Sequence, residues 1–347
     1  MRPRAERPRQ VPAAVPPDAP RTETPPHAAL PLVSHARNPG LPLDMDWLRT
    51  ARVNRPAAER RCASLTACRP VTGVHRVAWL LRAVGLIDLT TLSGDDTPGR
   101  VHRLCAKARQ PVRADLLDAL EVDGLSTAAV CVYHEMIAPA LAALRGSGIP
   151  VAAVSTGFPA GLSPMATRLA EIEASVAAGA AEIDIVISRR HVLLGDWAAL
   201  YDEVAAFRAA CGPAHLKTIL ATGELGTLTN VARASLVCMM AGADFIKTST
   251  GKEPVNATLP VGLTMLRAIR AYHAATGQRV GFKPAGGIST AKEALVWLAL
   301  IKKELGDRWL SPDLFRFGAS SLLGDIERQI EQHVTGAPSA AWRHPMG

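Results

Sequence analysis

Between residues 86 and 321, eight short apolar segments alternate with longer amphipathic ones, and this alternation leaves the chain few folds to choose from. The apolar segments are "LIDLTTL" (86–92), "AAVCVY" (128–133), "PVAAVSTGF" (150–158), "EIDIVIS" (182–188), "HLKTILATGE" (215–224), "DFIKTST" (244–250), "RVGFKPAGG" (279–287) and "LFRFGASS" (314–321). Their length and apolar content suit buried strands. Between them, stretches such as "SPMATRLAEIEASVAAGA" and "STAKEALVWLALIKKELG" carry apolar residues at helical spacing. In the first of these, Ser163 stands where an N-cap belongs and Gly179 where the helix should stop. Eight such units in one uninterrupted run predict an α/β fold of the (β/α)8 TIM-barrel class. A doubly wound open sheet would alternate in a similar way, but no G-x-G-x-x-G turn follows the first strand. The segment "VHRVAWLLRAVG" reads as an extra N-terminal helix, expected to cap the bottom of the barrel.

The rest of the 347 residues flank this barrel. Residues 1–45 are rich in Pro, Ala and Arg without sustained apolar periodicity, and are expected to be a disordered tail. Residues 46–80 read as a helical extension, 81–335 as the barrel and 336–347 as a C-terminal tail. Much of the formal charge of +8 lies in the first 61 residues, so it does not by itself argue for a nucleic-acid partner. The apolar runs are interrupted well short of the ~20 residues of a membrane span. No apolar run of signal-peptide type follows the N-terminal arginines. The six cysteines form no C-x-x-C pair, which argues against a zinc ribbon or a disulfide scaffold and for a reducing cytoplasm.

In such a barrel the active site lies where the strands end. The candidate strands carry Asp88 and Thr90 (first), Cys131 (second), Asp184 (fourth), Lys217, Thr222 and Glu224 (fifth), Lys247 (sixth) and Lys283 (seventh). Charged groups are rarely buried in apolar strands unless paired, and three lysines with two aspartates exceed what a structural ion pair needs. An ordinary lysine has roughly one amine in 2,500 unprotonated at pH 7. Desolvation and a neighbouring cation both push that proton off, and strands six and seven would set Lys247 beside Lys283. With Asp184 and Asp88 to move protons, this is the equipment of Schiff-base chemistry.

A second signal lies in the loops after strands six to eight. "STGK" (249–252), "AGG" (285–287) and "GASS" (318–321) offer glycines for close backbone approach and hydroxyls or N–H groups for an anion. Phosphate is commonly held at this end of such barrels. No Walker A loop is present.

The segments "IDLTTL", "STGFPAG", "EIDIVI", "LKTILATGEL", "DFIKTSTGK" and "GFKPAGGI", in order from about residue 80 to 335, resemble the deoxyribose-phosphate aldolase family, most closely its longer-chain branch. The resemblance implies reversible cleavage of 2-deoxy-D-ribose 5-phosphate to acetaldehyde and D-glyceraldehyde 3-phosphate. It implies no metal or organic cofactor, a small phosphosugar as partner, no requirement for nucleic acid or membrane, and a homodimer. It makes Lys247 the Schiff-base lysine, Lys283 the group that lowers its pKa, and Asp184 the proton donor and acceptor. Asp88, Thr90, Cys131, Lys217 and Thr222 match pocket positions, and Gly251, Lys252, Gly286, Gly287, Gly318, Ser320 and Ser321 match the phosphate loops. Two positions depart from the pattern: Ser289 stands where many members have Arg, and the tail "TGAPSAAWRHPMG" lacks the terminal tyrosine of some members. The alternatives are another Schiff-base lyase acting on a different sugar phosphate, and a non-catalytic phosphosugar-binding or nucleic-acid-associated protein using the basic tail.

Overall fold

The computed structural model describes residues 37–67 and 71–344. Three helices come first: α1 (Met45–Thr50), α2 (Arg55–Thr66) and α3 (Gly73–Val84). The barrel then runs β1 (Ile87–Thr90), α4 (Pro98–Arg109), α5 (Ala114–Ala119), β2 (Ala129–Val132), α6 (Ile137–Leu144), β3 (Val151–Ser155), α7 (Met165–Ala177) and β4 (Glu182–Val186). Its second half is α8 (Arg189–Leu194), α9 (Trp197–Ala210), β5 (His215–Ile219), α10 (Leu228–Met240), β6 (Phe245–Lys247), α11 (Leu259–Thr276), β7 (Gly281–Lys283), α12 (Ala291–Leu305), β8 (Phe317–Ala319) and α13 (Leu322–Thr335). All eight expected strands are present, each shorter than its apolar segment.

The strands are parallel and ordered β7-β6-β5-β4-β3-β2-β1-β8. Parallel bridges from Phe282 to Phe315 and from Ala285 to Gly318 join β7 to β8 and close the ring. Because strand side chains alternate, the register decides which groups meet inside. Lys247 pairs with Lys283, Asp184 with Lys217, and Lys217 with Phe245. Gly281 is required where it stands: a Cβ there would lie 2.3 Å from the Phe245 ring. The main core lies between strands and helices and is mostly aliphatic, with Leu298, Ile301, Leu322 and Ile326 fully buried and aromatic rings such as Phe207, Phe282 and Phe317 among them.

Helix ends follow local chemistry. Thr290 and Glu293 form a reciprocal capping box at the start of α12. Ser163 is not the cap of α7, however; Pro164 takes that position without a side-chain bond, while Gly179 does end the turn at φ +99°.

The N-terminal segment differs from expectation in two ways. Residues 1–36 of the expected tail lie outside the described residues, yet Arg37 to Asp44 pack against the barrel. Asn38 is buried; its backbone N–H donates to Asp244, its side-chain amide donates to the carbonyls of Met239 and Ala243, and it accepts from the Tyr272 hydroxyl. The next elements continue around the outer ring: Trp47 of α1 stacks on Tyr272 of α11, α2 packs on α11 and α12, and α3 packs on α12 and α13. The helix expected to cap the bottom is therefore the end of a strap, because the apolar face of α3 finds its partner in the helical ring. Deleting residues 1–36 should leave the melting temperature and turnover unchanged. Deleting 1–45 should destabilise the protein by about 2–4 kcal/mol, the scale of several buried hydrogen bonds left unmade; equal melting temperatures for the two truncations would refute this. No helix among the described residues is long and apolar enough to cross a membrane.

Candidate active site

Asp184, midway along β4, is the hub. Its Oδ2 accepts from Lys247 Nζ at 2.9 Å and from Lys283 Nζ at 2.8 Å, and its Oδ1 accepts from Lys217 Nζ at 2.9 Å. Lys283 also pairs with Asp88 Oδ2 at 2.6 Å. Below them, Lys217 donates to Glu182, and Arg316 bridges Asp88 and Glu182. These side chains are buried, so their charges act on one another with little screening.

The consequence differs for each lysine. Burial disfavours every ammonium, but for Lys283 the carboxylates of Asp184 and Asp88 outweigh it and raise the pKa well above the ordinary value. Lys217, held mainly by Asp184 and Glu182, is also raised. Lys247 goes the other way. Burial lowers it, Asp184 compensates in part, and the Lys283 ammonium pushes it further down. Asp184 would be raised by burial, but Lys217, Lys247 and Lys283 hold it well below the carboxylate range. The strands thus present a lysine whose ammonium form is disfavoured beside a carboxylate that three lysines keep ionised at rest.

Above this cluster opens a cavity of about 420 Å3, which Lys247 reaches from β6. Thr90 lines it, as do Gly251, Lys252, Gly286, Gly287, Gly318, Ser320 and Ser321. Thr248 ties two of the loops together, accepting from Ala285 N–H at 2.9 Å and donating to the Ala285 carbonyl. Gly318 leaves room for the site, since a Cβ there would lie 2.7 Å from Ala285 Cβ and 3.2 Å from Lys283 Cε. Gly286, at φ +82°, faces Asn256, which a side chain would strike at 2.6 Å. The N–H groups of Thr250 and Gly251 donate to the carboxylate of Glu253.

The structure thus separates the expected residues into two groups. One lines the cavity; the other, Asp88, Asp184, Lys217 and Lys283, forms the charged floor beneath it. Cys131 is buried among Ala152, Val154, Phe158, Val186 and Ile219, and burial raises its thiol pKa, so it is a neutral packing group. Thr222 is buried just beyond β5, and its hydroxyl has no hydrogen-bond partner among the described residues. Two charged residues of the floor escape a reading of strand ends, Glu182 and Arg316. Glu182 stands two residues before Asp184 and Arg316 two before Gly318, so the period of two along a strand could have found both. Ser289 lines the cavity and its N–H donates to Glu293. The described part of the tail folds back on α13, with His344 buried against Glu327 and Glu331.

Comparison with known proteins identifies the family. Residues 82–325 match the family model described as "DeoC/LacD family aldolase". The chain is 61% identical over 319 residues to the deoxyribose-phosphate aldolase of Mus musculus, covering 91% of this chain and 100% of that one. It is 59% identical over 315 residues to the deoxyribose-phosphate aldolase of Homo sapiens, covering 90% and 99%. The tetrameric deoxyribose phosphate aldolase of Aeropyrum pernix shares the fold, with a TM-score of 0.55 at 20% identity over 77% of this chain and all of that one. The chain belongs to the DeoC/LacD family of aldolases.

Proposed function

We propose that the protein reversibly cleaves 2-deoxy-D-ribose 5-phosphate to acetaldehyde and D-glyceraldehyde 3-phosphate through a Schiff base on Lys247. The observation that carries this reading is the contrast between two neighbouring lysines: burial and Lys283 press the proton off Lys247, while Asp184 and Asp88 keep Lys283 charged. In the cleavage direction the neutral Nζ attacks the C1 aldehyde of the open-chain sugar, and the carbinolamine loses water to give a protonated imine. The C3 hydroxyl then gives up its proton, the C2–C3 bond breaks, and its electron pair moves into the imine to form an enamine while glyceraldehyde 3-phosphate leaves. Protonation at C2 and hydrolysis return the amine and release acetaldehyde. Asp184, 2.9 Å from Nζ, is the group we assign to these proton transfers.

The loop groups around Gly286, Gly287, Gly318, Ser320 and Ser321, with Gly251 and Lys252, suit the phosphate, and Thr90 suits a sugar hydroxyl. Asp88 and Lys217 act from the floor, Asp88 on Lys283 and Lys217 on Asp184; Cys131 serves packing, and the Thr222 hydroxyl, unpaired among the described residues, suits a substrate group. The setting we infer is a reducing cytoplasm, which suits the free, buried thiols of Cys62, Cys105, Cys131, Cys211 and Cys238. The homodimer belongs to the same proposal. The decisive assay offers 2-deoxyribose 5-phosphate and other sugar phosphates side by side. Release of glyceraldehyde 3-phosphate from the first is expected, and preferential cleavage of another would establish a different Schiff-base lyase.

A further inference from the structure

The floor and Lys247 above it form one buried cluster of four basic side chains, Lys217, Lys247, Lys283 and Arg316, but three acidic ones, Asp88, Glu182 and Asp184. The other titratable groups facing it do not correct the imbalance. Cys131, from β2, is a neutral thiol because burial raises its pKa, and burial holds His215, at the start of β5, below its ordinary value. An enclosed cluster with a surplus cation relieves itself by losing a proton, and an arginine is the one basic side chain that will not supply it. The proton must come from a lysine. Carboxylate contacts rank the three. Lys217 meets Glu182 and Asp184, with Asp88 at 4.0 Å, and Lys283 meets Asp88 and Asp184. Lys247 has Asp184 alone, through an oxygen it shares with Lys283.

We propose that Arg316 is a positioning residue for the reactive amine: by engaging Asp88 Oδ1 and Glu182 Oε1 from the bottom of the barrel, it makes the cluster one cation too many and so leaves Lys247 unprotonated. Arg316 touches neither the cavity nor Lys247. It lies over the Phe245 ring, its guanidinium carbon 5.9 Å from the centroid, and is 3% exposed, so its charge has no solvent to screen it. The inference rests on Lys247 being the Schiff-base lysine.

The test compares Arg316→Met with Arg316→Met/Glu182→Gln, reading the rate of borohydride-trapped acetaldehyde adduct on Lys247 against pH. In the single variant three cations face three anions, the surplus is gone, and Lys247 should hold its proton. Its acidic limb should move up by about one pH unit, with a ~tenfold slower rate at pH 7 that recovers in alkaline buffer. The double variant restores the surplus, and its limb should return toward that of the wild type. A role confined to packing predicts no such return. A folded single variant with the wild-type limb, or a folded double variant that stays displaced, overturns the proposal. Should the single variant not fold, Glu182→Gln alone decides: losing a carboxylate should move the limb to lower pH, and an unmoved limb overturns it. Wild-type enzyme forming no Lys247 adduct would overturn the Schiff-base reading itself, a result distinct from any of these.

Discussion

Replacing Lys247 with methionine should abolish both turnover and the borohydride-trapped acetaldehyde adduct. The expected loss exceeds ~10^4-fold, the scale on which removing a covalent nucleophile acts. The fold should survive. Methionine keeps about the volume of the side chain, and the positive charge it removes is one that burial and Lys283 already disfavour. A group held against its own electrostatic preference contributes little to stability, so the variant should melt at or above the wild-type temperature. Mass spectrometry of the reduced complex and a melting curve check both halves. An adduct on Lys283 or Lys217 in the wild-type enzyme would overturn the assignment.

Asp184→Asn separates bond making from proton movement. The amide keeps the shape of the hub but cannot carry a proton, so turnover should fall by ~10^2–10^4-fold. Imine formation should respond differently. Lys247 loses its one carboxylate partner, its proton becomes easier to lose, and the acidic limb of adduct formation should shift to lower pH. Stability should fall as well, because Lys217 and Lys283 also lose an anion in a buried setting. The sign of its pH dependence follows from the depressed pKa of Asp184: its stabilisation is present above the unfolded carboxylate pKa and lost as pH falls toward the folded value. Near-normal turnover in Asp184→Asn would transfer the acid–base role to Asp88.

Much of this site was legible in the sequence because a barrel converts strand position into location. Lys247 and Lys283 could be placed side by side once β6 and β7 were recognised as neighbours, and the glycine-rich segments after β6, β7 and β8 do line one cavity. Glu182 and Arg316 were less visible. They stand near the start of β4 and in the approach to β8, away from the strand ends that carry the chemistry, and their part emerges only when all buried charges are counted together. Thr222 shows another limit: its place just beyond a strand was legible, but its buried hydroxyl has no partner among the described residues from which to read a role. The strap was hidden for another reason. Arg37 to Asp44 carry no helical or strand periodicity, and what orders them is a set of contacts more than two hundred residues away.

That separation has a kinetic consequence. Asn38 is 206 positions from Asp244 and 234 from Tyr272 in sequence, so on leaving the ribosome residues 37–44 have no docking surface until most of the chain has followed. Contacts of such span raise the mean sequence separation of the fold and slow its completion, although the closure entropy itself grows only logarithmically with the loop. The strap is therefore expected to seat late in folding, once α10, β6 and α11 are in place. Until then the apolar faces of Leu48 and Trp47 stay uncovered on the growing chain, and a chain stalled before Tyr272 would present them for aggregation or chaperone capture.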